Sequence, residues 1–134
     1  MSKIINTAGK RKRAVARATL IQGKGIVKIN NVPIDLYVPK LYRIRLREPL
    51  ILAGDLVNNV DIDVNVIGGG MASQADAARL AIAKALVEHS KSDRLKETFL
   101  KYDRQLIVAD VRRKETSKPN CHGKPRAKVQ KSYR

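Results

Sequence analysis

Residues 60–90 constrain the fold more than any other part of the chain. Between residues 60 and 67 every second side chain is Val or Ile, and the residues between them are Asp or Asn or end the run. This period of two predicts a strand with one buried and one solvated face. Three glycines follow at 68–70, and apolar side chains then recur at helical spacing within residues 73–90, at Ala75, Ala78, Ile82 and Leu86. A strand, a glycine turn and an alanine-rich helix therefore predict an α+β domain in which the helix lies close to a sheet.

The N-terminal third of the chain predicts further strands. Gly23-Lys24-Gly25 supplies the positive-φ positions that a hairpin turn requires, so the residues after it are predicted to return along the strand before it. Asn30-Asn31 indicates another turn, and Pro33 places any strand near it at a sheet edge. The strands predicted from these signals are 3–8, 13–21, in which Ala14, Ala16, Ala18 and Leu20 share one face, and 26–29.

Helical patterns lie on both sides of the strand at 60–67. Residues 40–54 predict a helix that Pro49 interrupts, with Leu41, Ile44 and Leu46 on one side. Ser73, three residues before Asp76, resembles a capping box at the start of the long helix. The remaining predictions are a short helix at 93–101 that buries Leu95 and Phe99, and a last strand at 106–109.

The charge of the chain is concentrated at its two ends. Residues 1–17 hold six basic and no acidic groups, residues 18–111 hold 13 and 11, and residues 112–134 hold nine and one. The net charge of +16 thus belongs to a nearly neutral body with two cationic ends. This charge distribution predicts a polyanionic partner. Nucleic acid is the commonest partner of this kind, and an acidic membrane surface is the second.

The chain changes in character after Asp110. Residues 112–134 contain so few apolar side chains that they cannot offset the roughly 1–2 kcal/mol per residue lost on ordering a backbone. We therefore predict a globular RNA-binding α+β domain at 1–110 and an extended basic tail at 111–134 that is disordered when free. The lone Cys121 permits no intramolecular disulfide, and no apolar run reaches the roughly 18 residues of a membrane span. These observations favour a cytoplasmic protein without a membrane partner.

The chain offers few candidates for catalytic or metal-binding residues. His89 is expected at a helix end, Asp61 and Asp63 are expected to solvate one strand face, and Cys121-His122 lacks the spacing of a zinc site. The glycines at 68–70 match neither a Walker loop nor a dinucleotide motif, and a tight turn is favoured over a phosphate cradle by about two to one. The sequence therefore predicts no enzyme, no cofactor, no metal and no small-molecule substrate, and a DNA reader is disfavoured because the long helix is mostly buried.

Several segments resemble the universal family of small-subunit ribosomal protein nine. The segment 9–17 (Gly-Lys-Arg-Lys-Arg-Ala-Val-Ala-Arg) is similar to the N-terminal motif of that family. Further similarity lies in the glycines at 68–70 with the helix after them, in Tyr102-Asp103-Arg104, in 112–115 and in the Gln-Lys-Ser-Tyr-Arg ending at 130–134. That ending and residues 106–110 resemble the archaeal and eukaryotic branch, and the short N-terminus favours the archaeal one. Ser73, Asp76 and Ala81 replace glycines of the bacterial pattern.

The resemblance implies a specific architecture and role. The family has a compact sheet-plus-helices domain with a left-handed β-α-β crossover, and a long basic C-terminal tail. It implies a structural constituent of the small ribosomal subunit that binds rRNA in the head, contacts neighbouring ribosomal proteins, and reaches the peptidyl-site tRNA with its tail. The rRNA-binding residues expected from the basic ends and from this resemblance are Lys10, Arg11, Lys12, Arg13, Arg17, Arg112, Arg113, Lys114, Lys118, Lys124, Arg126 and Lys128. Those expected at the tRNA are Lys131, Tyr133 and Arg134.

Overall fold

The computed structural model describes residues 4–126, so Lys128, Lys131, Tyr133 and Arg134 lie outside the described residues. Within this range a single five-stranded sheet packs with three helices, which confirms the predicted α+β class. The strands are β1 (Ile5–Arg11), β2 (Ala14–Gln22), β3 (Val27–Ile29), β4 (Val32–Pro33) and β5 (Val60–Ile67). The helices are α1 (Lys40–Ala53), α2 (Met71–Ser90) and α3 (Asp93–Tyr102).

The sheet has the order β1-β2-β5-β3-β4. β5 pairs antiparallel with β2 and parallel with β3, so it lies at the centre. β4 is an edge strand, as Pro33 predicted. The predicted hairpin between 13–21 and 26–29 is wrong, because β5 separates the two strands. The turn between them is instead held by Asp61, whose Oδ1 accepts hydrogen bonds from the backbone amides of Lys24 (2.8 Å) and Ile26 (2.9 Å).

Helix α2 covers one face of the sheet, and its small residues allow a close approach. Ala75, Ala78, Ile82 and Leu86 are buried, as the helical spacing predicted. A Cβ atom on Gly9 of β1 would lie 2.1 Å from the carbonyl oxygen of Ala77, so only glycine fits there. The predicted shared face of β2 is confirmed, since Ala14, Ala16, Ala18 and Leu20 are all buried on the side of the helix. The opposite face of the sheet is not covered by these helices and carries the polar side chains of β5.

Two helix predictions need correction. Helix α1 continues through Pro49, which is buried, rather than breaking there. Its inner side is formed by Leu46, Pro49 and Ala53, whereas Leu41 and Ile44 face solvent, so the predicted grouping of Leu41 and Ile44 with Leu46 is wrong. A spacing of three and four residues from position 46 defines that inner side.

The start of α2 also differs from the prediction. The helix begins at Met71 with Gly70 as its N-cap, and no side chain caps it. Ser73 therefore lies inside the first turn instead of preceding it. The glycine turn at 68–70 already reverses the chain, so helical geometry begins three residues earlier than the capping pattern predicted.

The predicted strand at 106–109 is absent from the described residues. Arg104–Leu106 form a 3-10 turn, and the side chain of Asp103 accepts a hydrogen bond from the amide of Gln105 at 2.8 Å. The carbonyl of Arg104 accepts hydrogen bonds from the amides of Ile107 and Val108. Those amides are thus used within the turn and are not free for a sheet. Helix α3, by contrast, matches its prediction within a residue and buries Leu95 and Phe99.

The connection between β3 and β5 is the place for the crossover that the resemblance implies. These neighbouring strands are parallel, and the chain passes through β4 and α1 between them. The left-handed sense of that crossover stays a prediction, as does the division into 1–110 and 111–134. Within residues 4–126, no helix combines the length and apolar character needed to cross a membrane.

Candidate RNA-binding groove

Three segments that are far apart in sequence meet at one groove of about 1020 Å³. They are the turn between β1 and β2, the glycine turn that leads into α2, and the first residues after the globular domain. We call this feature the basic groove. Its lining residues are Lys12, Arg13, Gly69, Gly70, Ser73, Arg112, Arg113, Lys114, Glu115, Thr116 and Ser117. Five of these eleven side chains are cationic and one is acidic, so the groove suits an anion.

The β1–β2 hairpin divides the first basic cluster among three places. Lys12 has a φ of 53° and forms the turn with Arg13, and both side chains are exposed at the groove. Lys10 and Arg17 point to the uncovered face of the sheet, because alternate residues of a strand face opposite sides. Arg11 points to the helix-covered face and is only partly exposed. The five cations between residues 10 and 17 therefore do not form one binding surface.

The glycine turn has a packing reason of its own. Gly68 and Gly69 have φ values of 74° and 70°. A Cβ on Gly68 would lie 2.8 Å from the carbonyl oxygen of Arg13, and one on Gly69 would lie 2.9 Å from the amide nitrogen of Ala14. Backbone thus packs on backbone, which supports the favoured interpretation of a tight turn. Gly70 is different, because a Cβ there would meet nothing within 4 Å.

The N-terminus of α2 opens at the same groove. The first amides of a helix have no partner within the helix, and they carry a partial positive charge. No acidic residue stands in the first turn of α2, so this charge is not neutralised there. Gln74 turns back instead and donates from Nε2 to the carbonyl oxygen of Gly68 at 3.1 Å. The helix end therefore adds to the positive potential of the flanking side chains.

Asp110 ties the start of the tail to β1. Its carboxylate pairs with the Nη1 of Arg11, and it accepts hydrogen bonds from Nη2 (2.7 Å) and the amide (2.8 Å) of Arg112. The hydrogen bonds from Arg112, joined by the charge of Arg11, hold the pKa of Asp110 far below its usual value. Arg113 donates from Nη1 to the Asp110 carbonyl at 3.2 Å. Asp110 thus gathers three arginines at the edge of the groove, Arg11 and Arg112 through its carboxylate and Arg113 through its carbonyl oxygen.

The described part of the tail, 111–126, contains no regular helix or strand. Lys114, Lys118 and Lys124 are exposed, and the chain turns at residues 119–123. The guanidinium of Arg126 pairs with the carboxylate of Glu115, which brings the two positions together across eleven residues. This ion pair raises the pKa of Arg126. Most side chains of the segment are exposed, Cys121 being an exception, so this part of the chain presents its cations to solvent.

Sequence reasoning missed the ionic cluster behind the groove. Arg79 of α2 is buried and contacts Glu48 of α1 and Asp103, which follows α3. Arg45 and Arg11 both approach Asp76 in the same region. The sequence did contain a sign of this cluster, because Arg79 lies on the apolar side of α2. A buried arginine requires acidic partners.

The remaining candidates take structural roles. Asp61 does more than solvate a strand face, since hydrogen bonds from the amides of Ile26 and Lys24 lower its pKa and fix the turn. His89 is half-buried near the end of α2. Across residues 4–126, no cluster of three or more His, Cys, Asp or Glu side chains is arranged to hold a metal ion.

Comparison with known proteins identifies the family. The model of the family described as Ribosomal protein S9/S16 matches residues 9–134. The chain belongs to the ribosomal protein S9/S16 family. Small ribosomal subunit protein uS9 of Methanococcus maripaludis strain C7 is 51% identical over 133 residues, which is 98% of this chain and 99% of the relative. The same protein of Methanococcus vannielii is 50% identical over 133 residues, with the same coverage.

Membership in the S9/S16 family confirms the resemblance drawn from the sequence motifs. The C-terminal motifs predicted the archaeal and eukaryotic branch, and the prediction of its archaeal part agrees with these Methanococcus relatives. The relatives are named as ribosomal proteins, which supports the prediction that the chain is not an enzyme. The matched region includes the hairpin, the glycine turn and the tail, and thus every segment of the basic groove.

Proposed function

We propose that this chain is a structural component of the small ribosomal subunit that grips rRNA phosphates with its basic groove. The observation that carries the proposal is the meeting of Lys12-Arg13, the α2 N-terminus and 112–114 at one groove in a member of a ribosomal family. Cationic side chains and free helix amides are the usual donors to phosphate. The groove is open to solvent rather than a closed pocket, which suits a nucleic-acid backbone better than a free nucleotide.

The cations of the groove differ in how free they are to bind RNA. Lys12, Arg13 and Lys114 make no ion pair within residues 4–126, so they remain available to phosphates. Arg112 is bound to Asp110 but keeps an exposed side chain, at 76% of its full accessibility. Arg11 is held by Asp110 and Asp76 and is more enclosed, at 19%. We therefore propose that Arg11, which lies beside the groove, supports it, while the five lining cations Lys12, Arg13, Arg112, Arg113 and Lys114 touch RNA.

The finer parts of the proposal concern location and the tail. The domain binds rRNA in the head of the subunit beside neighbouring ribosomal proteins, and the protein is cytoplasmic and ribosome-bound. Lys118, Lys124, Arg126 and Lys128 follow the rRNA path, and Lys131, Tyr133 and Arg134 reach the peptidyl-site tRNA. These roles are supported by the family resemblance and by the charge of the tail. Lys10 and Arg17, on the uncovered sheet face, would meet a second stretch of rRNA.

Filter binding of purified protein to small-subunit rRNA and to duplex DNA over a salt series tests the proposal. We expect preferential binding to rRNA, and each lost phosphate contact should reduce the slope of log K against log salt by about one. The variant Lys12→Ala/Arg13→Ala should lower the slope, whereas Lys96→Ala/Lys101→Ala on exposed α3 should leave it unchanged. Equal affinity for both nucleic acids, or equal slopes for both variants, would argue against the proposal.

A second measurement addresses the cellular complex. The tagged chain should co-sediment with small subunits from a lysate after a high-salt wash. Release of the chain by that wash, or sedimentation at the top of the gradient, would contradict a structural role in the subunit.

A further inference from the structure

Helix α1 carries large apolar side chains on two opposite sides. Its inner side is buried against the rest of the domain. Its outer side presents Leu41, Ile44 and Ile51, which are 65%, 53% and 73% exposed. Leu36 and Val38, in the segment that leads into the helix, are 68% and 80% exposed. We call these five residues the outer α1 surface.

Helical geometry places the three helix residues of this surface together. Ile44 and Ile51 are seven residues apart, which is close to two turns, and Leu41 lies one turn before Ile44. Single exposed apolar residues are common, but these five within sixteen residues together expose on the order of 500 Å², an area at which apolar surface marks interaction sites. The packing of the domain does not explain these exposed side chains, because the inner side of α1 already supplies its contacts to α2.

Cations border the outer α1 surface. Lys40 is exposed, and Arg43 and Arg47 lie on the flank of the helix where both bond to Asp35. Asp35 precedes the helix, and Glu48, the acid within α1, is turned inward to Arg79. Lys40, Arg43 and Arg47 outnumber Asp35 and the exposed Asp55 that follows the helix, so the border is positive overall. An apolar centre with a charged border is the pattern of a protein interface with a polar rim.

We infer that the outer α1 surface docks a neighbouring protein of the subunit that offers an apolar strip flanked by acidic side chains. RNA fits poorly, because its phosphates would have to lie against desolvated aliphatic side chains. A second copy of this chain fits poorly too, because the same cationic border would face itself. The inference rests on the proposed function and adds a surface on the side of α1 that faces away from the domain.

Photo-crosslinking in assembled small subunits tests this docking surface. Ile51→p-benzoylphenylalanine should crosslink to another ribosomal protein, at a segment in which apolar and acidic residues alternate or adjoin. The matched probe Lys12→p-benzoylphenylalanine at the basic groove should crosslink to rRNA. If neither variant enters subunits while the unmodified chain also stays outside, the proposed function and this inference both fail. If Lys12 reports rRNA but Ile51 reports rRNA, a second copy or no partner, this inference alone fails.

A charge pair at one position tests the stated chemistry of the partner. Ile44→Asp and Ile44→Lys remove the same apolar contact from an exposed site, so both should fold with an unchanged thermal midpoint. With the Ile51 probe in place, we expect about tenfold or greater loss of the protein crosslink for Ile44→Asp. Ile44→Lys should lose less, because lysine can pair with the acidic partner. Equal losses, or a greater loss for lysine, would overturn the assignment of an acidic partner.

Discussion

Arg79 of α2 donates from Nη1 to the Oδ2 of Asp103 at a distance of 2.8 Å. Its Nη2 lies 2.5 Å from the Oε2 of Glu48, so one buried guanidinium connects α1, α2 and the residue that ends α3. Burial by itself raises the pKa of Asp103, but the Gln105 amide and the Arg79 guanidinium outweigh it, and the net shift is downward. The helices behind the basic groove are thus held by charge as well as by apolar packing.

Removing that guanidinium should destabilise the domain. Arg79→Met keeps the length of the side chain but leaves two carboxylates without their cation. We expect the free energy of unfolding to fall by about 2–4 kcal/mol, since breaking a largely buried ion pair strands its partners. Urea denaturation measures the change. Arg94→Ala, at an exposed position of α3, is the control and should change stability by less than about 0.5 kcal/mol.

The glycine turn offers a comparison between neighbours. Gly69→Ala puts a Cβ at a φ of 70° and 2.9 Å from the amide nitrogen of Ala14, so we expect a loss of about 1–3 kcal/mol. Gly70→Ala meets open space, so it should cost less, about 0.5–1 kcal/mol, which is the effect of alanine as a poorer N-cap. Thermal unfolding of the two variants separates the effects. A harmless Gly69→Ala would mean that the turn does not pack on the hairpin as described.

Acid should weaken the fold through three aspartates. The pKa values of Asp61, Asp103 and Asp110 lie below the usual 3.8 when the protein is folded. A carboxylate with a lowered pKa stabilises the fold fully above its unfolded value and loses this contribution as pH falls through the folded value. We therefore expect the free energy of unfolding to decline below about pH 4.

Asp110→Asn isolates one of these groups. The variant should be less stable than the parent at pH 7, because its hydrogen bonds to Arg112 and its pairing with Arg11 are weakened. It should also lose less stability between pH 5 and pH 2, which urea titrations at several pH values can measure. Asp55→Asn, at an exposed acid without an ion pair within residues 4–126, is the control. An unchanged acid slope for Asp110→Asn would show that its carboxylate is not tied to the two arginines.

Charge reversal in the hairpin should separate binding from folding. Arg13→Glu changes an exposed side chain, so we expect reduced occupancy in purified small subunits with an unchanged thermal midpoint. Arg11→Glu should lower both, because it places an acid beside Asp110 and Asp76. Quantitative mass spectrometry of subunits and thermal unfolding of the free proteins give the two readouts. Normal occupancy of Arg13→Glu would count against the groove as an rRNA site.

Deletion of 132–134 tests the proposed role of the tail tip. We expect subunits that contain the truncated chain in normal amount, because the groove is intact, but that bind peptidyl-site tRNA more weakly. Binding of labelled tRNA to purified subunits measures the effect. Replacement of the same three residues by Ser-Ser-Lys is a control for charge, and it should restore part of the affinity.

Strong local periodicity predicted individual strands and helices well. It did not predict the contacts between residues that are distant in sequence. The alternation at 60–67 and the spacing of Ala75, Ala78, Ile82 and Leu86 decided β5 and α2. The position of β3 beside β5 was missed, and so was the turn before β3, where the Asp61 carboxylate accepts hydrogen bonds from amides more than 30 residues away. Residues 106–109 have strand-like side chains, but hydrogen bonds to Arg104 keep them in a turn.

The candidate site was predicted in its parts and not in its arrangement. The two basic ends and the glycine turn were recognised separately, whereas their meeting at one groove depends on the sheet order. Period-two geometry then separated Lys10 and Arg17 from Lys12 and Arg13, although all four lie within eight residues. The partial neutralisation of Arg11 and Arg112 required knowledge of where Asp110 lies.

The anchoring of Arg112 at Asp110 has a kinetic consequence. Under the proposed function, a tether of only a few residues joins the groove to Lys118 and Lys124, so RNA held in the groove would face those cations at an effective concentration on the order of millimolar. The domain would then dock first, and each tail contact would become an intramolecular step. Weak individual contacts suffice under these conditions, because none of them has to find its phosphate by free diffusion.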